Sequence, residues 1–338
     1  MKRQSIYFEG PRKIAMHWEE IPDLKPGEVL VRALISGISP GTEMLIYRDQ
    51  APKGMDVDLN IAALGGEFHY PFKYGYSMIG EVTALGEGVD GEWLGRQVFA
   101  FNPHESYFTA PTDDLHLLPE NVPLDDAVFL PNMETAVNFL MDGKPLIGER
   151  VLVFGQGVIG LLTTSLLSAF PLAELAAVDP YEKRREISLS LGAGQAVSPQ
   201  ELNSIRQTWR INAIDGADLI YELSGSPDAL NQAIQMAGFE SRIIIGSWYG
   251  EKTSSLALGR EFHRGRIKLF SSQVSTLAAE HRGRWSKARR FSLVWEKLAQ
   301  THPADIITHR FSIAQASQAY QLLDEEPESA LQVVLHYE

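Results

Sequence analysis

The sequence of 338 residues contains no cysteine. That absence excludes a disulfide framework, a thiolate nucleophile, an iron–sulfur cluster and any zinc site built on thiolates, so a metal would have to rest on His, Asp or Glu. Positive charge is also scarce: 30 Lys and Arg stand against 43 Asp and Glu, a formal net charge of −13. Nucleic acids and anionic membrane surfaces are bound by neutralising phosphates, so neither is an expected partner, and small-molecule chemistry moves forward. The N-terminus, MKRQSIYFEG, lacks the apolar stretch of a signal peptide, and a cytoplasmic setting is expected. No HExxH word and no pair of histidines four residues apart is present, and no Ser-His-Asp hydrolase is expected.

What is there suggests two domains. The first 130 residues hold short strands between turn signals, among them EVLVRALISGI, SMIGEVTALG, RQVFAFNP and SYFTAP, the pattern of a compact antiparallel barrel. From Arg48 to Tyr70 the pattern lapses into a long irregular stretch, which is either a shaped binding loop or a mobile surface loop. From Asn132 strands alternate with helices, as βαβ units on a parallel sheet do. The pattern turns helical after Ser272, through KARRFSLVWEKLAQ and THRFSIAQASQAYQLLDEE, and closes on the strand ALQVVLHY. One uncharged run, Val151 to Ala173, is long enough to span a bilayer, but its glycines and hydroxyl residues indicate a buried strand, a glycine turn and a buried helix.

The strongest chemical signal lies in that run. Gly155, Gln156, Gly157, Val158, Ile159 and Gly160 read G-x-G-x-x-G after a strand and at the start of a helix. Gly155 permits the tight turn, Gly157 a close approach of the backbone to a pyrophosphate, and Gly160 close packing of helix on strand. Asp179 follows nineteen residues after Gly160, at the end of the next apolar strand, where a carboxylate accepts the ribose hydroxyls of adenosine. It repels a 2′-phosphate and so favours NAD, whereas Lys183, Arg184 and Arg185 keep NADP open. Ser224 and Gly225, and Gly246, Ser247 and Trp248, end two later strands and are expected along the adenosine and nicotinamide.

The order of parts resembles the medium-chain dehydrogenase/reductase superfamily over essentially the whole chain, carried by VLVRALISGISPGTEMLIYR, KYGYSMIGEVTALGEGV, GERVLVFGQGVIGLL, ADLIYELSG and ITHRFSIAQASQAYQLL. The word GISPGTE is similar to the branch that includes the bacteriochlorophyllide a dehydrogenases. The resemblance implies an α/β protein with a GroES-like β-barrel catalytic domain at 1–131 and 273–338 and a Rossmann doubly wound parallel sheet at 132–272. It also implies transfer of hydride between nicotinamide and a secondary alcohol or ketone in a cleft between the two.

The family's catalytic zinc would need ligands where this chain has Ser39 or Pro40, then Gly75, Tyr76 and Ser77, then Pro131 and Asn132. The four-cysteine structural lobe is absent too. We therefore expect no zinc; a substitute site of His69, His104 and Glu134 is the remaining alternative. Without a Lewis acid, another group must support the charge on the substrate oxygen. Tyr76 stands at the histidine position as the leading donor, with Lys73 three residues earlier to lower its pKa, and Thr42, Glu43, Asn132 and Glu134 are further candidates.

Two rival functions remain: reduction of an activated double bond, as in the zinc-free enoyl and quinone reductases, and a nucleotide-binding sensor without catalysis. The cationic run HRGRWSKARR at 281–290 reads as a solvated helix face or a contact for an anion or partner subunit. Tyr47, Phe68, Tyr70, Phe72 and Tyr74 suggest either a pocket for a large, flat substrate or ordinary core. A homo-oligomer, dimer or tetramer, is expected through a sheet edge in RIIIGSW or RIKLFSSQVS.

Overall fold

The computed structural model describes residues 2–52, 54, 61–209 and 216–338. They divide into two compact units, one of 1–131 with 295–338 and the other of 132–294. The return to the first unit therefore falls at Trp295 and not at 273. Residues 273–294 stay with the second unit because Arg290, 1% exposed, is bound to Glu134 and Asn138 of the helix Leu130–Gly143, and His281 bonds the Met141 carbonyl of the same helix.

In the first unit, Lys2–Gly10 and Lys13–Glu20 form an antiparallel hairpin. A seven-stranded sheet runs in the order Ile307–Ser312, Gln332–His336, Glu28–Ile38, Met78–Leu85, Gln97–Ala100 and Leu115–Leu117, with Tyr107–Pro111 also paired to Glu28–Ile38. Alternate residues such as Val29, Val31 and Ala33 face a core shared with Phe8, Met78, Val98, Phe108 and Tyr320. The sheet is mixed rather than wholly antiparallel. The helix Ala316–Glu325 lies between Ile307–Ser312 and Gln332–His336, and such a crossover returns the chain parallel. Expected to be helical throughout, THRFSIAQASQAYQLLDEE is instead strand in its first part, because a capping box of Ser312 and Gln315 delays the helical turns. The irregular stretch 48–70 lies partly outside the described residues; its described part contains one turn of 3-10 helix, Ala62–Leu64.

The second unit is a six-stranded parallel sheet in the order Gln195–Val197, Glu174–Val178, Arg150–Phe154, Ala217–Glu222, Ala237–Ile245, Lys268–Ser271. Numbered along the chain this is 3-2-1-4-5-6, the doubly wound dinucleotide order. Its two faces alternate by residue. Leu152, Phe154, Ile220 and Ile243 meet Leu230, Ala233 and Ile234 of the helix Pro227–Met236, whereas Val151, Val153, Tyr221 and Ile244 meet Phe139 and Leu167. Ala237–Ile245 is flanked on both sides, so only Lys268–Ser271 of the two expected oligomer edges is an edge. The uncharged run resolves into Arg150–Phe154, the glycine turn and the 11-residue helix Val158–Ser168; among the described residues no helix is long and apolar enough to cross a membrane.

Candidate active site

The strand order reverses between Arg150–Phe154 and Ala217–Glu222, and the crevice beyond their carboxyl ends is where open parallel sheets bind ligands. Three glycines shape it. Gly155 has φ +86°, and a side chain there would strike the backbone of Leu223 and Ser224 at 2.6–2.7 Å. A Cβ on Gly160 would lie 1.9 Å from the Gly155 carbonyl, so helix and turn pack only because it is absent. Gly157 is different: its Cβ would meet only the Arg184 guanidinium, at 4.0 Å, which leaves open space over the first turn of Val158–Ser168. Val158 is buried and Ile159 packs on the sheet, so both offer backbone rather than side chain to that space. The Gln156 side chain is likewise buried, bonded to Val153 and Thr164.

Asp179, 3% exposed, closes the far side. Its carboxylate accepts from the Gln156 amide at 2.7 Å and the Tyr181 amide at 2.9 Å, locking the glycine turn to the end of the second strand. Arg184 lies over the Tyr181 ring with its guanidinium 4.0 Å from Asp179. Arg185 donates to the carbonyls of Asp179 and Pro180, so its charge serves the backbone of the turn. Amides at a helix start, open space above Gly157 and a buried carboxylate together fit a dinucleotide.

Across the reversal, Ser224 and Gly225 are tied to Ser247. The Gly225 amide donates to Ser247 Oγ at 2.8 Å, and Ser247 Oγ donates to the Glu222 carbonyl. Glu222, an acid that no motif singles out, is fully buried and accepts from the amide and hydroxyl of Ser224 and from Tyr249. Burial, and then the charge of Glu222, pushes the Tyr249 phenol well above its ordinary range. Gly246 has a packing reason to be glycine, since a Cβ would lie 2.2 Å from Phe139; Trp248 is part exposed beside it.

In the first unit, Ser39 follows the strand Glu28–Ile38 and precedes the short helix Thr42–Tyr47. Tyr76 donates to Ser39 Oγ at 2.6 Å and lies 3.4 Å from Thr42 Oγ1; the Thr42 amide also reaches Ser39 Oγ, at 3.3 Å. Three neutral hydroxyls thus meet where the resemblance would place zinc ligands. Glu43 is not among them. Fully buried, it accepts from the Ser39 amide at 2.8 Å, from His104 Nε2 at 3.1 Å and from Tyr320, and so anchors the Ser39 turn from behind. Behind it His104 Nδ1 meets Ser36, which meets Tyr337. Gly75, at φ +129°, has no side chain because the His104 ring would be 2.8 Å from a Cβ. The letters of a hydrolase elbow do occur, from Gly37 through Ser39 to Gly41, but both nitrogens of His104 face Ser36 and Glu43, so this imidazole does not serve Ser39 as a base.

Several expectations are corrected. Lys73 does not serve Tyr76; it pairs with Glu105 at 2.9 Å and Glu19 at 3.3 Å. Glu134 is occupied by Arg290 at 2.6 Å, with burial pushing its carboxyl up against the opposing charge of Arg290. Asn132 sits in the first turn of Leu130–Gly143, itself buried. His69 is exposed, whereas His104 and Glu134 hold the partners just named, so the substitute zinc site does not assemble; among the described residues no three His, Asp or Glu side chains converge for a metal. The hydroxyls of Ser39 and Tyr76 bond each other and Ser77 donates to the Val128 carbonyl, a donor set without the nitrogen, sulfur or carboxylate that zinc takes. In the run 281–290, Arg282, Arg284, Lys287 and Arg289 are exposed, as on a solvated face, with Arg289 stacked on Trp285 and Arg282 bonded to the Leu277 carbonyl, whereas Arg290 is the buried clamp. Of the five aromatics, Tyr47 and Tyr74 are core, while Phe68, Tyr70 and Phe72 line a recess of about 340 Å³ with Ile46, Asp49 and His69.

The Lys73 cluster carries a pH prediction. Burial pushes the Glu19 carboxyl up, but hydrogen bonds from Tyr7 and Ser5 and the charges of Lys73 and Arg3 outweigh it and bring it down to about 2. A carboxyl depressed on folding contributes stability that is full above its ordinary value of 4.5 and is lost as pH falls through about 2. Melting temperatures of the protein should therefore drop over that window, and drop less for Glu19→Gln; equal slopes would contradict this assignment.

Comparison with known proteins agrees with this construction. Residues 158–293 match the family described as zinc-binding dehydrogenase. D-guloside 3-dehydrogenase of Escherichia coli K12 is 25% identical over 347 residues, covering 98% of this chain and 99% of that protein. L-threonine 3-dehydrogenase of Pyrococcus horikoshii is 25% identical over 265 residues, covering 69% and 72%. Among solved structures, a short chain alcohol dehydrogenase from E. coli CFT073 complexed with NADH superposes with a TM-score of 0.79 at 22% identity, over 99% of each chain. The glycine turn, the 3-2-1-4-5-6 sheet and this end-to-end likeness lead to one assignment: the protein is an oxidoreductase similar over its length to dehydrogenases of the medium-chain type, with residues 158–293 matching the zinc-binding dehydrogenase family.

Proposed function

We propose that the protein is an NAD-dependent dehydrogenase that interconverts a secondary alcohol and its ketone with hydroxyl groups, rather than a protein-held zinc, supporting the substrate oxygen. The observation that carries this reading is the Tyr76–Ser39 hydrogen bond of 2.6 Å, at the position where the family's zinc ligands would stand. A bound pyridine nucleotide supplies the hydride acceptor or donor.

The rest of the chemistry falls to the chain. Asp179 and the amides around Gly157 bind and orient the nucleotide, and the same carboxylate disfavours a 2′-phosphate, which makes NAD the preferred form over NADP. Ser39 Oγ accepts hydrogen bonds from Tyr76 and from the Thr42 amide, which directs its own proton outward to a substrate oxygen. As negative charge grows on that oxygen the Ser39 bond strengthens and Tyr76 polarises Ser39 in turn; in reduction the Ser39 proton passes to the new alkoxide and is replaced through Tyr76 from solvent, and oxidation releases the alcohol proton along the same path in reverse. Glu43 and His104 hold the Ser39 turn without touching substrate.

Asp179→Ala is expected to weaken NAD binding by at least tenfold while narrowing the preference over NADP, read by titration of both nucleotides; retained affinity and preference would contradict the ribose role. The reaction itself is tested by incubating the protein with NAD and secondary alcohols, and with NADH and ketones or enones, followed by mass analysis. Alcohol–ketone interconversion supports the reading. Saturated enones in place of alcohols would indicate double-bond reduction, and nucleotide binding with no product from either panel would indicate a sensor.

A further inference from the structure

Glu222 lies at the last position of the strand Ala217–Glu222, in register with Phe154 on one side and Ile245 on the other. It therefore sits at the strand-order reversal, one step from the glycine turn. Its side chain is fully buried, and the hydrogen bonds to its carboxylate come from neutral donors: the Ser224 amide at 2.9 Å, the Ser224 hydroxyl at 2.5 Å and Tyr249 at 2.5 Å. None of these donors carries a positive charge, so none of them offsets a negative charge on the carboxylate. A carboxylate so placed favours positive charge in the crevice.

With the adenosine end fixed by Asp179 and the pyrophosphate over Gly157, the redox end of a dinucleotide extends across the reversal, to the side of Ser224, Gly225 and Ser247. A pyridine ring carries a positive charge when oxidised and none when reduced. We propose that Glu222 sets the redox preference of the nucleotide site, making it bind the oxidised, cationic nucleotide at least as tightly as the reduced one. This inference rests on the nucleotide reading above. At an effective dielectric near 20, a full charge roughly 10 Å away changes an equilibrium by about tenfold.

The test is titration calorimetry of the whole protein with NAD and with NADH. Glu222→Gln keeps the shape and leaves acceptors for Ser224, while the Tyr249 hydroxyl reverses to accept from the new amide. It is expected to raise the ratio of Kd for NAD to Kd for NADH by about tenfold. Tyr249→Phe, which retains the charge and loses one donor, should keep that ratio within about twofold even where both affinities fall. A Glu222→Gln ratio equal to that of the unaltered protein would overturn the inference, as would equal weakening of both nucleotides, which is what a purely structural role gives. Should Glu222→Gln fail to fold, the unaltered protein still decides: NADH bound tenfold more tightly than NAD contradicts the proposal. Failure of both nucleotides to bind overturns the nucleotide reading instead.

Discussion

Tyr76→Phe is expected to lower kcat by roughly a hundredfold while leaving KM for the alcohol and Kd for NAD nearly unchanged. The phenyl ring fills the same half-buried place against Tyr74 and removes only the hydroxyl that donates to Ser39 at 2.6 Å. Loss of one preorganised donor to a developing oxyanion costs about 10²–10³ in kcat. Ser39→Ala should do at least as much, because it removes the group proposed to meet substrate as well as the acceptor for Tyr76. The double variant should then be little worse than Ser39→Ala alone, since the two hydroxyls act as one unit. Turnover of Tyr76→Phe within twofold of the unaltered enzyme would remove Tyr76 from the mechanism.

The largest expected loss of stability comes from Arg290→Ala. Arg290 and Glu134 are both nearly inaccessible, joined by two guanidinium nitrogens to one carboxylate oxygen at 2.6 and 3.1 Å, and Arg290 also binds Asn138 and the Val274 carbonyl. Truncation leaves a carboxylate buried without its partner, which costs about 3–5 kcal/mol. Glu134→Gln, Arg290→Met in one chain should recover much of that loss, because it removes both charges together. Chemical denaturation reads both outcomes; a single variant within 1 kcal/mol of the parent would mean the pair is not the clamp it resembles.

The doubly wound half is legible because its signals are local. Gly155, Gly157, Gly160 and Asp179 lie within 25 residues of one another, and each answers a backbone or charge requirement of one βαβ unit. The clamp was not legible. Arg290 and Glu134 are 156 residues apart, and nothing in a cationic run marks which of its arginines will be buried. The same limit explains the domain boundary, which moved from 273 to 295 with that clamp.

The hydroxyl site lies between these cases. Three residues separate Lys73 from Tyr76, a spacing that brings side chains together on a helix, but the segment 73–77 belongs to no helix and Gly75 turns it at positive φ. Lys73 accordingly finds Glu105 and Glu19, and Tyr76 finds Ser39, 37 residues earlier. Glu43 carried a chemical residue type in a suggestive word, yet its partners His104 and Tyr320 come from distant parts of the chain and make it a positioning group. Glu222 gave no signal because a single acid at a strand end is ordinary until its burial is known.

The most direct measurement of the whole account is NAD-dependent oxidation of a secondary alcohol by protein whose metal content has been determined by elemental analysis, assayed with and without a strong chelator. Turnover with only trace zinc and no loss on chelation is the expected result. Zinc bound one to one, with activity that disappears on its removal and returns on its addition, would contradict it.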